Sequence, residues 1–261
     1  MEITLLDGVS WDRDTLLEAM LDDDFYYGYL GKASLSSSAC KALNDSPRVY
    51  ELQANGQQLE TSALSVGKLI HTAVLEPEKV ETSFDIVSVS TKTTKAYKEA
   101  KDNLEKGKTL LTVKEYDDAM RVVDAVLSSK VVKSFLQGSS YEKPEIGMIN
   151  DIPFRAKADI LRENEAVFDL KTTSDISGFN YSARKYGYPA QVFIYCTLFN
   201  VPFSEFKFIV VDKGSKDIGI FSVSESFYNE GQRLVLNAIG IYTSYFINGE
   251  DIRNYVIYGE L

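Results

Sequence analysis

Cysteine and histidine are nearly missing from this chain. Cys40 and Cys196 stand far apart in unrelated surroundings, and His71 is the single histidine among 261 residues. Two thiols cannot hold a four-cysteine iron–sulfur cluster, and so distant a pair makes neither a thiolate metal site nor a disulfide framework. There is no glycine-rich phosphate loop, internal repeat, low-complexity tract or Pro/Gly/Ser-rich linker. No apolar run approaches the roughly 18 residues of a membrane span, and the opening MEITLLDGVSWDRD lacks the basic and apolar regions of a secretory signal. A cytoplasmic location and no membrane contact are expected, with enough chain for one substantial core.

Positive charge is scarce as well. A formal net charge of -10 argues against a dense phosphate-binding surface, because Lys and Arg make the contacts that dominate nucleic-acid affinity. The deficit is local. Residues 1–33 set Glu2, Asp7, Asp12, Asp14, Glu18, Asp22, Asp23 and Asp24 against Arg13 and Lys32, which accounts for -6 of the -10. Residues 1–33 are therefore expected as an acidic N-terminal arm and 34–261 as a single domain. Within that domain Lys92, Lys95, Lys98 and Lys101 recur every third residue, a candidate basic stripe for DNA on a helix. A solvated helix face gives the same pattern.

Periodicity divides the domain into helices followed by strands. SLSSSACKALNDSPRVYELQ carries serine N-cap candidates and an interruption at Ser46-Pro47. In TSALSVGKLIHTAVLEPEKV the residues Leu64, Leu69, Ile70, Ala73 and Val74 have helical spacing, and the helix ends before Pro77. TKAYKEAK reads as surface helix, and VKEYDDAMRVVDAVLSSKVVKSFL as an amphipathic one. YEKPEIGMI, IPFRAKADILR and AVFDLKTT, separated by ND and REN, predict a three-stranded meander. A buried helix over YGYPAQVFIYCTLFN, strands over EFKFIVVD and DIGIFSVS, and a long final helix complete the reading.

The chemistry concentrates in the meander. Residues two apart on a strand share a face, so Asp169 and Lys171 point one way and Leu170 the other. In the preceding strand Phe154, Ala156, Ala158 and Ile160 are expected on one face and Arg155, Lys157 and Asp159 on the other, which would set Asp159 beside Asp169 and Lys171. Two carboxylates are hard oxygen ligands suited to Mg²⁺ or Mn²⁺. A cation there would polarise a phosphodiester and lower the pKa of a bound water, with Lys171 orienting that water and offsetting charge in the transition state. Glu145, one strand earlier, is a candidate third carboxylate, and Arg155 and Lys157 are candidate DNA contacts beside the acids. An exposed strand with a surface ion pair would also satisfy Asp-x9-Asp-x-Lys. Gln191 and Tyr195, four apart, lie on one helical face.

In this order, GKLIH, Glu145, RAKAD, DLKT and QVFIY resemble the RecB-type branch of the PD-(D/E)xK nucleases. With SLSSSACKALNDSPRVY, ALSVGKLIHTAVLEP and TKAYKEAK around them, they look closest to the RecE-like (exonuclease VIII) phage and prophage exonucleases, relatives of lambda exonuclease. The resemblance spans roughly residues 34–200. It implies an α/β (α+β) restriction-endonuclease-like core, a central mixed sheet flanked by helices, with extra N-terminal helices. It also implies that His71, Asp159, Asp169 and the Leu170 backbone carbonyl are metal ligands, that Lys171 is catalytic, and that Gln191 and Tyr195 support the site and contact DNA near it. Ala158 stands where this family often has proline, a position that ligates nothing. The implied activity is Mg²⁺-dependent 5′-to-3′ degradation of linear double-stranded DNA for recombination by strand annealing. The implied partners are double-stranded DNA ends, a single-strand annealing protein and further copies of the chain in a ring-shaped homo-oligomer, a trimer or tetramer. A restriction-like or repair endonuclease and a non-catalytic DNA-end-binding module are the alternatives on the same fold.

Overall fold

The computed structural model describes residues 2–56 and 61–257; residues 1, 57–60 and 258–261, which belong to the two expected units, lie outside them. At its centre is a five-stranded sheet of β1 (Ser140–Ile149), β2 (Ile152–Arg162), β3 (Ala166–Thr173), β4 (Phe206–Asp212) and β5 (Ile218–Ser222), in that spatial order. All neighbours are antiparallel except β3 and β4, which are parallel. The meander expected from the alternating segments is present, and Asn150 and Asp151 close its first hairpin with φ of 47° and 60°. Asn and Asp tolerate that left-handed region, which a two-residue hairpin turn requires.

Helices cover both faces. On one side α1 (Ser62–Leu75) and α3 (Val113–Ser128) bury Leu69, Ile70, Val122 and Val126 against Phe168, Leu170, Ile209 and Val211 of β3 and β4. On the other, α4 (Tyr188–Leu198), α5 (Glu225–Tyr242) and the helix Ser37–Asp45 bury Val192, Ile194, Val235 and Leu43 against Phe154, Val167, Phe206 and Phe208. With both faces covered, β2 and β3 are buried along almost their whole length, which is why they read as apolar runs interrupted by a few charges. The parallel β3–β4 step is made possible by α4, which carries the chain across the sheet face between them. α4 sits close to α5 because Gly231 leaves room for it: a Cβ there would lie 2.0 Å from the Pro189 carbonyl oxygen.

Three expectations need correction. Ile160 does not share a face with Phe154, Ala156 and Ala158: Ala158 belongs to the α4–α5 core and Ile160 to the α1–α3 core, so the alternation of β2 breaks at Asp159. The basic stripe is not one helical row. α2 runs from Lys95 to Asp102 with Thr94 as its N-cap, and Lys92 lies in the preceding turn, paired with Glu115. Lys95 is paired with Glu99, and Lys98 is exposed on the helix.

The third correction concerns residues 2–33, which are a packed layer rather than a solvated arm. A short hairpin (Glu2–Thr4 with Ser10–Asp12) and the helix Arg13–Ala19 enclose a small core of Ile3, Leu5, Leu16, Met20, Tyr26 and Leu30, closed by Ile146 of β1. Arg155 anchors this layer. Its buried guanidinium donates to the carbonyls of Leu30 and Ser34 and to Ser34 Oγ at 2.8–3.2 Å, and Tyr26 stacks against it. Arg155→Ala is expected to lower stability by about 3 kcal/mol through the loss of these charge-assisted hydrogen bonds. Urea denaturation would measure it, and a change under about 1 kcal/mol would contradict the anchoring role.

Candidate active site and divalent-cation centre

Asp159 leaves β2 on the side of α1, and helical packing brings His71 to it. His71 Nε2 lies 2.8 Å from Asp159 Oδ2, the same oxygen that accepts the Leu170 backbone N–H at 2.8 Å. The other imidazole nitrogen, Nδ1, is 3.2 Å from Glu142 Oε1. Pairing of Tyr141 with Ile160 and of Lys143 with Ala158 places Glu142 across from Asp159, with a left-handed φ of 48°.

Glu145, the expected third carboxylate, goes elsewhere. It is three residues along β1 from Glu142, an odd number, so the two side chains leave opposite faces. Glu145 Oε1 takes 2.6 Å from Arg13 and 2.8 Å from its own Ile146 N–H.

Asp169, on β3, faces α4. Gln191 Nε2 donates to Asp169 Oδ1 at 2.6 Å, and Lys171 Nζ stands 2.6 Å from Asp169 Oδ2. Lys171 lies 4.8 Å from the centre of the Tyr188 ring, which holds it over the site. One turn along α4, Tyr195 donates to the Lys157 carbonyl at 2.9 Å and ties the helix to β2. Gln191 and Tyr195 are both buried, with these polar ends turned to the strands. These bonds hold Asp169 and β2 in place and occupy the polar ends that were expected to reach DNA.

Arg155 and Lys157 are also turned inward. Lys157 Nζ reaches Asp23 at 2.5 Å and Glu142 Oε2 at 3.8 Å, under the rings of Tyr26 and Tyr27. Neither cation forms an open phosphate contact. At Leu170 the backbone amide is held by Asp159.

The electrostatics of this cluster call for a positive charge. Burial works to lower the His71 pKa, but the Asp159 charge and hydrogen bond, joined by Glu142, outweigh it and hold the imidazole protonated well above its usual range. Burial likewise raises Asp159, and the His71 charge overrides it and lowers the carboxyl. Asp169 is pushed up to about 6, first by burial and then by the Asp159 charge. Burial tends to lower Lys171, while Asp169 and Asp159 together drive it above its ordinary value. In effect an imidazolium occupies the gap between two carboxylates.

A divalent cation fits these residues. His71, Glu142 and Asp159 each offer a ligand atom within 4.8 Å of the others. Glu142 Oε1 and Asp169 Oδ2 are buried without a properly aligned hydrogen-bond donor, so the neighbouring His71 and Lys171 make charge contacts only. Both oxygens are thus held by positive charge rather than by directed donors, a setting in which a coordinated cation is an equivalent partner.

The Asp169 shift gives a prediction for the metal-free protein. Its folded value of about 6 lies above the unfolded value of about 3.9, so the folded state holds the proton more tightly. That contribution is complete below the unfolded value and is lost as pH rises through 6, by at most about 3 kcal/mol. Unfolding in EDTA between pH 4 and 8 should show the decline, and Asp169→Asn should flatten it. A variant that declines as steeply as the wild type would assign the effect to another group.

The family model described as PDDEXK-like domain of unknown function (DUF3799) matches residues 36–248. The chain belongs to this PDDEXK-like family. No curated protein matches it. A solved "Putative exonuclease" from Eubacterium rectale aligns with a TM-score of 0.66 at 16% identity, covering 92% of this chain and 95% of that one. That similarity shows a shared fold over nearly the whole molecule. A phage-related exonuclease from Haemophilus somnus 129PT aligns with a TM-score of only 0.34 at 13% identity, covering 82% of this chain and 96% of that one. The PDDEXK-like match begins at residue 36, after the N-terminal layer that supplies Asp23, Tyr26 and Tyr27. Sequence reasoning missed those residues and Glu142. Of the four only Glu142 carried a usable signal, since counting back from a two-residue turn at Asn150–Asp151 sets it opposite Asp159.

Proposed function

We propose that this PDDEXK-like chain is a Mg²⁺-dependent exodeoxyribonuclease that degrades linear double-stranded DNA 5′ to 3′, leaving a 3′ single strand for recombination by annealing. The observation that carries the reading is the cluster of His71 on α1 with Glu142 and Asp159 on β1 and β2, tied through the Leu170 amide to the strand that carries Asp169 and Lys171. A carboxylate set with a lysine two positions beyond the second acid is suited to phosphodiester hydrolysis, and a lone surface ion pair would not be buried as Asp169 is.

His71, Glu142, Asp159 and Asp169, with the Leu170 carbonyl, would hold Mg²⁺ or, in its place, Mn²⁺. When bound, the cation supplies Lewis acidity toward the phosphate and lowers the pKa of its water. Occupation of the site requires His71 to give up its proton, so binding is coupled to proton release. Lys171, kept protonated by Asp169 and Asp159, orients the attacking water and offsets charge that builds on the phosphate. Gln191 fixes the rotamer of Asp169, and Tyr195 fixes β2 relative to α4.

The partners follow the same reading. Arg155 and Lys157 are committed inside the fold, so the chain offers still fewer cations for DNA than its composition suggested. Enclosure of the duplex by a ring-shaped homo-oligomer, a trimer or tetramer, would retain DNA without dense basic coverage. The emerging strand would pass to a single-strand annealing protein in the cytoplasm of a bacterial host, with the chain encoded by a phage or prophage.

Linear duplex, nicked circle and closed circle incubated with Mg²⁺ test the reading. Progressive loss of linear DNA with the closed circle spared is the expected result. Cutting of the closed circle would replace it with an endonuclease, and end binding without hydrolysis with an end-capping module. End-labelled substrates give the polarity, and the mass in solution gives the ring.

A further inference from the structure

The segment Phe25–Tyr29, FYYGY, is a π-helical turn, a rare conformation that concentrates at functional sites. It presents two adjacent tyrosines differently. Tyr26 is buried, 5.3 Å from the Arg155 guanidinium and 5.1 Å from Lys157 Nζ. Tyr27 is 63% exposed, yet its ring is fixed, edge to face with Tyr26 at 4.9 Å and 5.5 Å from Lys157 Nζ. That same Lys157 is 3.8 Å from Glu142 of the candidate cation centre. The backbone next to Tyr27 is also uncrowded, since a Cβ on Gly28 would meet no atom within 4 Å.

A rigid aromatic ring, supported from beneath by a second ring and a cation, half open and beside a phosphodiester-cleaving centre, has the attributes of a base-stacking surface. The neighbouring Asp22, Asp23 and Asp24 would repel a phosphate backbone, so what reaches this ring should be the uncharged part of a nucleotide. We infer that Tyr27 is the stacking platform for the 5′-terminal nucleobase of the strand being degraded, contributed by the N-terminal layer that precedes the family-matched region. The inference rests on the nuclease reading and names the element that positions its substrate. Stacking is tolerant of sequence because every base has a π face, which suits an enzyme that must take each terminal nucleotide in turn.

The test uses the full chain carrying Lys171→Ala to stop hydrolysis, and linear duplex with 2-aminopurine as the 5′-terminal base. Binding should quench the fluorophore. Adding Tyr27→Ala should abolish the quench and weaken end binding by about tenfold. Tyr27→Phe should keep both, and Tyr27→Leu, which preserves apolar bulk without a π face, should lose the quench even if Tyr27→Ala proves unstable. Equal quenching with Leu or Ala, or loss of quenching with Phe, would overturn the stacking role. Wild-type enzyme with Mg²⁺ on unlabelled duplex is the separate arm. Absent hydrolysis would overturn the exonuclease reading while the quenching comparison still decides Tyr27, and absent binding to any DNA end would overturn both.

Discussion

Replacement of Lys171 by alanine is expected to lower the single-turnover rate of DNA cleavage by about 100- to 1,000-fold, with end binding little changed. Lys171 stands 2.6 Å from Asp169 Oδ2 and is held by the Tyr188 ring, so its ammonium is pre-oriented and needs no reorganisation as charge develops on the phosphate. Removing one such preorganised donor in a water-poor site typically costs that much in rate. Asp169→Ala should cost at least as much, because it removes a candidate ligand and leaves both Lys171 and Gln191 without their partner. The comparison to make is single-turnover hydrolysis of end-labelled duplex in saturating Mg²⁺ beside binding of the same duplex in EDTA. A Lys171→Ala enzyme that retains more than a tenth of the wild-type rate would remove the lysine from the chemistry.

The second large effect separates two glutamates that are three residues apart. Mn²⁺ at about 100 times its dissociation constant should stabilise the wild-type protein by about 2.7 kcal/mol, which for a chain of this size raises the melting temperature by roughly 5–10 °C. Glu142→Ala should abolish most of that shift, together with activity, because it takes away one of three ligand atoms that converge within 4.8 Å. Glu145→Ala should leave the shift intact and cost about 1 kcal/mol, since its side chain pairs with the partly exposed Arg13 and the adjacent Ile146 amide and touches none of the three ligand residues. Scanning calorimetry with and without Mn²⁺ decides between them. An Mn²⁺ shift that survives Glu142→Ala and disappears with Glu145→Ala would move the centre to the other face of β1.

The mixed sheet and the helices around it were legible in the sequence because their signals are local. The turn residues Asn150 and Asp151, the N-cap serines 36 and 46, and the apolar spacing of α1 and α3 each act within a few positions of themselves. The short parallel ladder of Phe84–Val87 with Thr109–Thr112 carried no such signal and was not expected. It joins two four-residue segments across the intervening α2, so nothing within either segment announces the pairing.

Asp169, Lys171 and their opposition to Leu170 followed from the period of a strand alone, and the structure keeps them on one face. Arg155 and Lys157 show where that logic stops. Their position on the face of β2 opposite Phe154, Ala156 and Ala158 followed from the strand period, but residues more than 120 positions earlier cover that face, and cations expected as DNA contacts became anchors for Ser34 and Asp23. Glu145 failed for a related reason: strand register is exact, so an offset of an odd number of residues sends a carboxylate to the wrong side.

From its sequence, this protein could be given its elements, two acids and a lysine on neighbouring strands, and one histidine on a helix upstream of them. Only the folded chain decided that β2 breaks its alternation at Asp159, that Glu142 completes the carboxylate set, and that the acidic N-terminal residues form a wall of the site. The division has a physical basis. Hydrogen-bonding periodicity and turn conformation are properties of neighbours along the chain, whereas the partner of a buried charge is chosen by the packing of distant segments, which minimises unsatisfied polar groups over the whole molecule.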